Sequence, residues 1–274
     1  MNSILILLAA GDSSRFKSTI PKPYCSVNNK TLLEQAFYSF QGFKDIKKTI
    51  IVYNKKHKKY LNSLNLKNTI KIIGGKTRQE STFKALQRIK KLKCEKVLIH
   101  DVARPYPSKV LITNILNKLK TCHAVIPIIN IYDATKRIKN NLIFKNIDRK
   151  TLRFSQTPQG FTYKKIYNKH KKYRKIVFDD DCSFFVKDNE KVKTIAGSKL
   201  NFKITTKEDL EMLTFLKKGK IYYGLGFDIH RLVSRRNLYL GGIKIPSPVG
   251  TLGHSDGDPV LHSLIDGILG ACKL

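Results

Sequence analysis

The residues able to do chemistry gather in three loops and a tail. In LLAAGDSSRFKSTIPKPY, Leu7 to Tyr24, an apolar run ends at Ala9-Ala10-Gly11, and small polar residues follow with Arg15 and Lys22 among them. Glycine and small neighbours let backbone N–H groups approach a phosphate chain, and two spaced cations add fixed positive charge. The spacing is not that of the P-loop, because no Gly-Lys-Ser/Thr follows. A second loop, GGKTRQES, contains Gly75 and runs into a helix start that offers Arg78 and Ser81 to the same ligand. The alternative is an ordinary strand-to-helix turn with a surface arginine. A third loop, HDVARP, sets Asp101 and Arg104 at a strand end. A carboxylate there can order a ribose, a polyol or a metal, or simply pair with the arginine.

The tail holds different chemistry. Asp228 and His230 lie two apart in the run YGLGFDIHRL, so a strand would point both to one face. GHSDGDPVLHSL then adds His254, Asp256, Asp258 and His262. One carboxylate and two imidazoles suit Zn²⁺ and leave its fourth position open. The alternative is histidines gathered on a polar loop without metal.

The elements that must position these residues alternate. ILILLA, KTIIVY, TIKII, KVLIH and AVIPI are strand candidates, and residues 32–40, 78–89 and 109–119 read as helices. Such alternation predicts an α/β fold with a parallel sheet and helices on both faces. Ligands then sit beyond the carboxyl ends of strands, which is where the three loops fall. KRIKNNLIFKNIDR breaks the rhythm and predicts a hairpin around Asn140-Asn141, an arm over residues 133–149. Sequence texture changes near Gly219, which predicts one domain over residues 1–219 and a second over 220–274.

Composition narrows the classes. With 274 residues and 41% hydrophobic content, a sizeable core is expected. No apolar run approaches the length of a membrane span, and the start lacks the form of a signal peptide. Five scattered cysteines without a C-x-x-C pair predict free thiols and a cytoplasmic protein. The net charge is +33, of which residues 221–274 carry only +1, from five Lys/Arg against four Asp/Glu. A basic nucleic-acid binder is one reading of that charge. Lysines scattered singly, as in NKKHKKY and RIKKLKCEK, argue against it, although a phosphate-rich substrate would profit from the field.

Taken in order, LLAAGDSSRF, PKPY, GGKTRQES, HDVARP, IDRKTLRFSQTPQGF, FDDDCSFF and NFKIT resemble the motifs of the 2-C-methyl-D-erythritol 4-phosphate cytidylyltransferases of non-mevalonate isoprenoid biosynthesis. The resemblance covers residues 3 to about 217 and implies a Rossmann-like nucleotidyltransferase sheet with a β-arm. It implies transfer of CMP from CTP to methylerythritol phosphate, with release of pyrophosphate. Carried over by motif, Arg15, Lys22 and Lys203 would steady phosphate charge. Ala9, Ala10, Gly11, Gly75, Arg78 and Ser81 would meet CTP. Asp101, Arg104, Thr157 and Arg149 would hold the acceptor, and Mg²⁺ would arrive on the triphosphate. The family also implies a homodimer paired through the arm. Ala134 and Asp179 depart from the family pattern near the acceptor.

The tail resembles the N-terminal part of 2-C-methyl-D-erythritol 2,4-cyclodiphosphate synthases through GFDIHRL, LGGIKIP and GHSDGDPVLHSLIDGILGA. This implies an incomplete α+β domain in which Asp228, His230 and His262 bind a divalent metal, Zn²⁺ by donor type, while His254 and Asp258 line a substrate pocket. The match stops at ACKL, so a truncated second domain without cyclase activity is expected. Two alternatives stay open: a nucleotidyltransferase for another sugar or polyol phosphate, and a tail that serves only as an interaction module or zinc clip.

Overall fold

In the computed structural model, residues 2–11, 16, 18–216, 222–253 and 257–273 are described. Two compact units divide the chain, Met1–Lys217 and Lys218–Leu274.

The first unit opens with β1 (Ser3–Ala9), β2 (Ser26–Val27), β3 (Lys30–Thr31), α1 (Leu32–Ser39), β4 (Ile46–Tyr53), α2 (Lys58–Asn62) and β5 (Thr69–Ile73). It continues with α3 (Arg78–Ile89), β6 (Lys96–Asp101), α4 (Lys109–Lys118), β7 (Ala124–Asn130), β8 (Thr135–Lys139), β9 (Leu142–Ile147), β10 (Arg153–Ser155) and β11 (Gln159–Thr162). Helices α5 (Tyr163–Lys172) and α6 (Ser183–Lys187), strand β12 (Lys193–Ala196) and helix α7 (Lys207–Leu216) close it. One sheet runs in the order β10-β7-β11-β6-β1-β4-β5, with β12 on β7. Strands β6, β1, β4 and β5 are mutually parallel, while β11 runs antiparallel between β6 and β7.

Strand β1 explains the layering. Its alternate residues enter two cores, as the two-residue period of a strand requires. Leu5, Leu7 and Ala9 pack with Leu32, Phe37, Leu111 and Ile115 from α1 and α4. Ile4 and Ile6 pack with Ala85, Leu86, Phe161, Ile166 and Phe185 on the other face. A strand buried on both faces reads as a continuous apolar run, which is why ILILLA does not alternate.

Local chemistry starts the helices. Thr31 and Glu34 form a reciprocal capping box on α1. Thr77 caps α3 by accepting from Glu80 N–H, and Ser108 does the same for α4 from Leu111 N–H. Strands β8 and β9 form the expected hairpin, and Asn140 and Asn141 both take positive φ at its turn. The hairpin pairs only with itself among the described residues, and Ile138, Leu142, Ile143 and Phe144 are exposed on it.

The second unit contains β13 (Leu232–Ser234), β14 (Leu238–Leu240), β15 (Ile243–Ile245), β16 (Val249–Thr251) and α8 (Pro259–Cys272). Strand β13 pairs with β16 and β14 with β15. None of its described hydrophobic side chains is buried. All five cysteines are free, and no described helix is long and apolar enough to cross a membrane.

Candidate active site

Strands β1, β4, β5 and β6 end side by side, and a cavity of about 520 Å³ lies beyond their carboxyl ends. The loop after β1 lines it with Ala9, Ala10 and Gly11, and Lys22 follows. Gly75, Arg78 and Ser81 line it from the turn after β5 and the start of α3. Asp101 lines it from the end of β6, and Lys203 from the NFKIT segment. Nine of the residues singled out by sequence therefore meet at one cavity.

Each is held for a physical reason. Gly74 sits so close to its neighbours that an added Cβ would stand 2.5 Å from Ala10 Cβ and 2.9 Å from Ser81 Oγ. Ser81 Oγ accepts from Gly75 N–H at 3.0 Å, which folds the glycine turn over the helix start. The first turn of α3 thus faces the cavity, where the positive end of the helix dipole favours an anion. Lys203 is placed by three bonds, two that stitch its segment to the β6 loop and one to the turn before β11. Ile204 N–H donates to Ala103 O at 2.8 Å, Arg104 Nη1 donates to Asn201 O at 2.7 Å, and Asn201 Nδ2 donates to Thr157 O at 2.8 Å. Lys203 Nζ then reaches Asp101 Oδ2 at 2.7 Å.

Charge in the cavity is one-sided. Among the described residues, Lys22, Lys55, Lys56, Lys76, Arg78 and Lys203 line it against one carboxylate, Asp101. Arg78 Nε meets Asp101 Oδ1 at 3.2 Å, and its Nη1 meets Asp181 Oδ2 at 2.7 Å. Burial alone would raise the Asp101 pKa, but Arg78 and Lys203 outweigh it and hold the carboxyl well below its usual range. Asp181 behaves alike, with burial opposed by Arg78 and His170.

Three expected acceptor ligands lie elsewhere. Arg104 and Thr157 do not line the cavity. Arg104 spends its guanidinium on the carbonyls of Asn201 and Ser155. Thr157 Oγ1 is buried, accepting from Asp101 N–H at 3.1 Å and touching His100 Nδ1 at 3.0 Å. Arg149 is exposed beside the arm and donates to Tyr132 O. These contacts make Arg104 and Thr157 supports of the β6 end within this chain. Arg15 and His254 lie outside the described residues.

The sequence reading missed Asn54, Lys55, Lys56, Lys76, Thr77 and Thr205 as lining residues. NKKHKKY follows the strand KTIIVY directly, so the strand-end rule that marked the other loops also covers it. Asp181 was part of a recognised motif, yet its partner Arg78 is 103 residues away and no spacing announces the pair.

In the second unit Asp228, His230 and His262 converge, with one ligand atom from each within 4.8 Å of the others. The run before His230 is not a strand, as the sequence had suggested; it lies against α8 instead. A Cβ on Gly224 would stand 1.7 Å from Gly267 O, and one on Gly226 would stand 1.6 Å from Ser263 O. Only glycine allows that approach, and it brings Asp228 and His230 to His262. Asp228 Oδ2 lies 3.1 Å from His230 Nδ1 and 3.0 Å from His262 Nδ1. His230 Nδ1 is buried and makes no well-aligned hydrogen bond, so its lone pair suits a shared cation, as the donor set does. Asp258 is a correction. Its buried carboxylate accepts from the N–H groups of Gly241, Gly242, Val260 and Leu261, capping α8 rather than lining a pocket. Burial raises its pKa, and those four donors outweigh the burial and lower it.

Comparison with known proteins agrees with this geometry. Residues 3–218 match the 2-C-methyl-D-erythritol 4-phosphate cytidylyltransferase family, and residues 221–274 match the YgbB family. The bifunctional enzyme IspD/IspF of Pelagibacter ubique is 46% identical over 276 residues, covering 100% of this chain and 72% of that protein. The solved bifunctional IspDF of Campylobacter jejuni superposes with a TM-score of 0.68 at 31% identity, covering 100% of this chain and 71% of that one. The 4-diphosphocytidyl-2C-methyl-D-erythritol synthase of Anaerococcus prevotii gives 0.68 at 30% identity over 79% of this chain and 96% of its own. The cavity, its cations and these matches together place the chain in the 2-C-methyl-D-erythritol 4-phosphate cytidylyltransferase family, with a YgbB-family segment after it.

Proposed function

We propose that the cavity of the first unit transfers CMP from CTP to 2-C-methyl-D-erythritol 4-phosphate. The observation that carries this reading is six cations and a glycine turn around one cavity at four parallel strand ends. An oxygen of the acceptor phosphate attacks the α-phosphorus, the bond from that phosphorus to the bridging oxygen breaks, and pyrophosphate leaves with the electron pair. No enzyme nucleophile is required, so catalysis is positioning plus stabilisation of charge. Lys22 and Lys203 meet the growing negative charge on the α-phosphate and the leaving group, joined by Arg15. Ala9, Ala10, Gly11, Gly75 and Ser81 hold the nucleotide, partly through backbone. Asp101 accepts hydrogen bonds from acceptor hydroxyls. Mg²⁺, when bound on the triphosphate, supplies Lewis-acid neutralisation of the phosphate oxygens.

The exposed apolar hairpin supports a homodimer built through residues 133–149, and Arg149 would hold the acceptor phosphate. Asp228, His230 and His262 would hold Zn²⁺ in the second unit. That unit buries no described hydrophobic side chain, so ring closure by it alone is not expected. Turnover of the cyclase substrate by purified protein would contradict this. Pyrophosphate release from CTP tested over a panel of sugar and polyol phosphates checks the main reading. The methylerythritol phosphate should give the highest kcat/KM, and preference for another acceptor would replace it.

A further inference from the structure

Arg78 is expected by sequence to meet CTP, yet the structure gives its guanidinium other work. Nε is taken by Asp101 and Nη1 by Asp181. Asp181 is the deeper partner, 1% exposed, and its other oxygen meets His170 Nε2 at 2.9 Å. The His170 ring is in turn fixed between Phe83 and Phe184, with centroids at 6.1 and 4.4 Å. Asp101 gives its second oxygen to Lys203. The groups form a chain: His170, Asp181, Arg78, Asp101, Lys203. Both oxygens of each carboxylate are engaged. A buried Asp181 without Arg78 would be an uncompensated charge, so the interior dictates where the guanidinium sits. Arg78 on Oδ1 and Lys203 on Oδ2 then hold the Asp101 carboxylate from both of its oxygens.

We infer that Arg78 and Asp181 are positioning residues for the acceptor side of the reaction, holding the Asp101 carboxylate in place, and that the Arg78 side chain is not a nucleotide ligand. This rests on the proposed reading that Asp101 meets the acceptor. The test uses Arg78→Lys, Asp181→Asn and the double variant, with CTP and methylerythritol phosphate varied separately. Lysine keeps one charge but cannot span two carboxylates, and asparagine keeps the shape of Asp181 without its charge. The KM for the acceptor should rise about tenfold or more, the loss expected when a charge-assisted hydrogen bond is misplaced. The KM for CTP should stay within about twofold, and the double variant should be no worse than the poorer single one, as for groups acting in series. A rise in the CTP KM matching that of the acceptor overturns the inference, as do unchanged KM values or additive losses. Thermal melting is run first. If Asp181→Asn does not fold, Arg78→Lys decides alone, by the same comparison of the two KM values. Acceptor-dependent turnover by the wild type separately checks the underlying reading, so the two failures are distinguishable.

Discussion

At the scale of single residues, His100 shows how the site is built from below. Arg104 O can only accept, so His100 Nε2 donates to it at 2.8 Å. Asp101 N–H donates to Thr157 Oγ1, which leaves the threonine hydroxyl to donate to His100 Nδ1. The tautomer is thereby fixed, and the ring is neutral. Burial lowers its pKa from 6.5 to about 4. The sign follows from linkage. Between those values an unfolded chain binds a proton that the folded one refuses. Stability is complete above pH 6.5 and falls as pH drops towards 4, by roughly 3 kcal/mol in all. Denaturant titrations of wild type and His100→Gln at neutral and mildly acid pH check this. The variant should lose less stability on acidification by roughly 2–3 kcal/mol, and equal losses would contradict it. Sequence reading found Asp101, but the bonds by which Thr157 Oγ1 joins Asp101 and His100 were not legible, because a motif names residues and not the direction in which each side chain points.

At the scale of elements, close approach without a Cβ decides both sites. Gly74 lets the turn after β5 settle on Ala10 and Ser81, and Gly226 lets an extended run lie on α8. In Gly226→Ala the new Cβ meets backbone, which no rotamer change relieves. Metal analysis after dialysis against zinc should then find its bound zinc well below one per chain, with the wild type near one. Full occupancy in the variant would contradict the packing argument. The strands were legible because buried parallel strands are continuous apolar runs, and α3 because a threonine cap and a glycine turn precede it. The extended run at Asp228 was misread as a strand. Alternation in a sequence does not distinguish a strand's neighbour from a helix that small residues let come close. The lysines after β4 were overlooked because they resemble the surface lysines found throughout this chain.

At the scale of the whole molecule, the charge of +33 falls almost entirely outside residues 221–274. Six cations at one cavity give that field a focus. The kcat/KM for CTP should therefore fall several-fold as salt rises from a low level past about 0.15 M, through screening of the long-range attraction. A salt-independent value would mean that the lysines act only as solvated surface.

The most direct test of the account is pyrophosphate release from CTP by wild type and Lys203→Ala, with and without methylerythritol phosphate. Lys203 lines the cavity and stands 2.7 Å from Asp101, the proposed acceptor contact. The account predicts acceptor-dependent release in the wild type and a loss of about a hundredfold or more in kcat for the variant, the scale on which removing one electrostatic stabiliser acts. Release that ignores the acceptor, or a variant as active as the wild type, would contradict it.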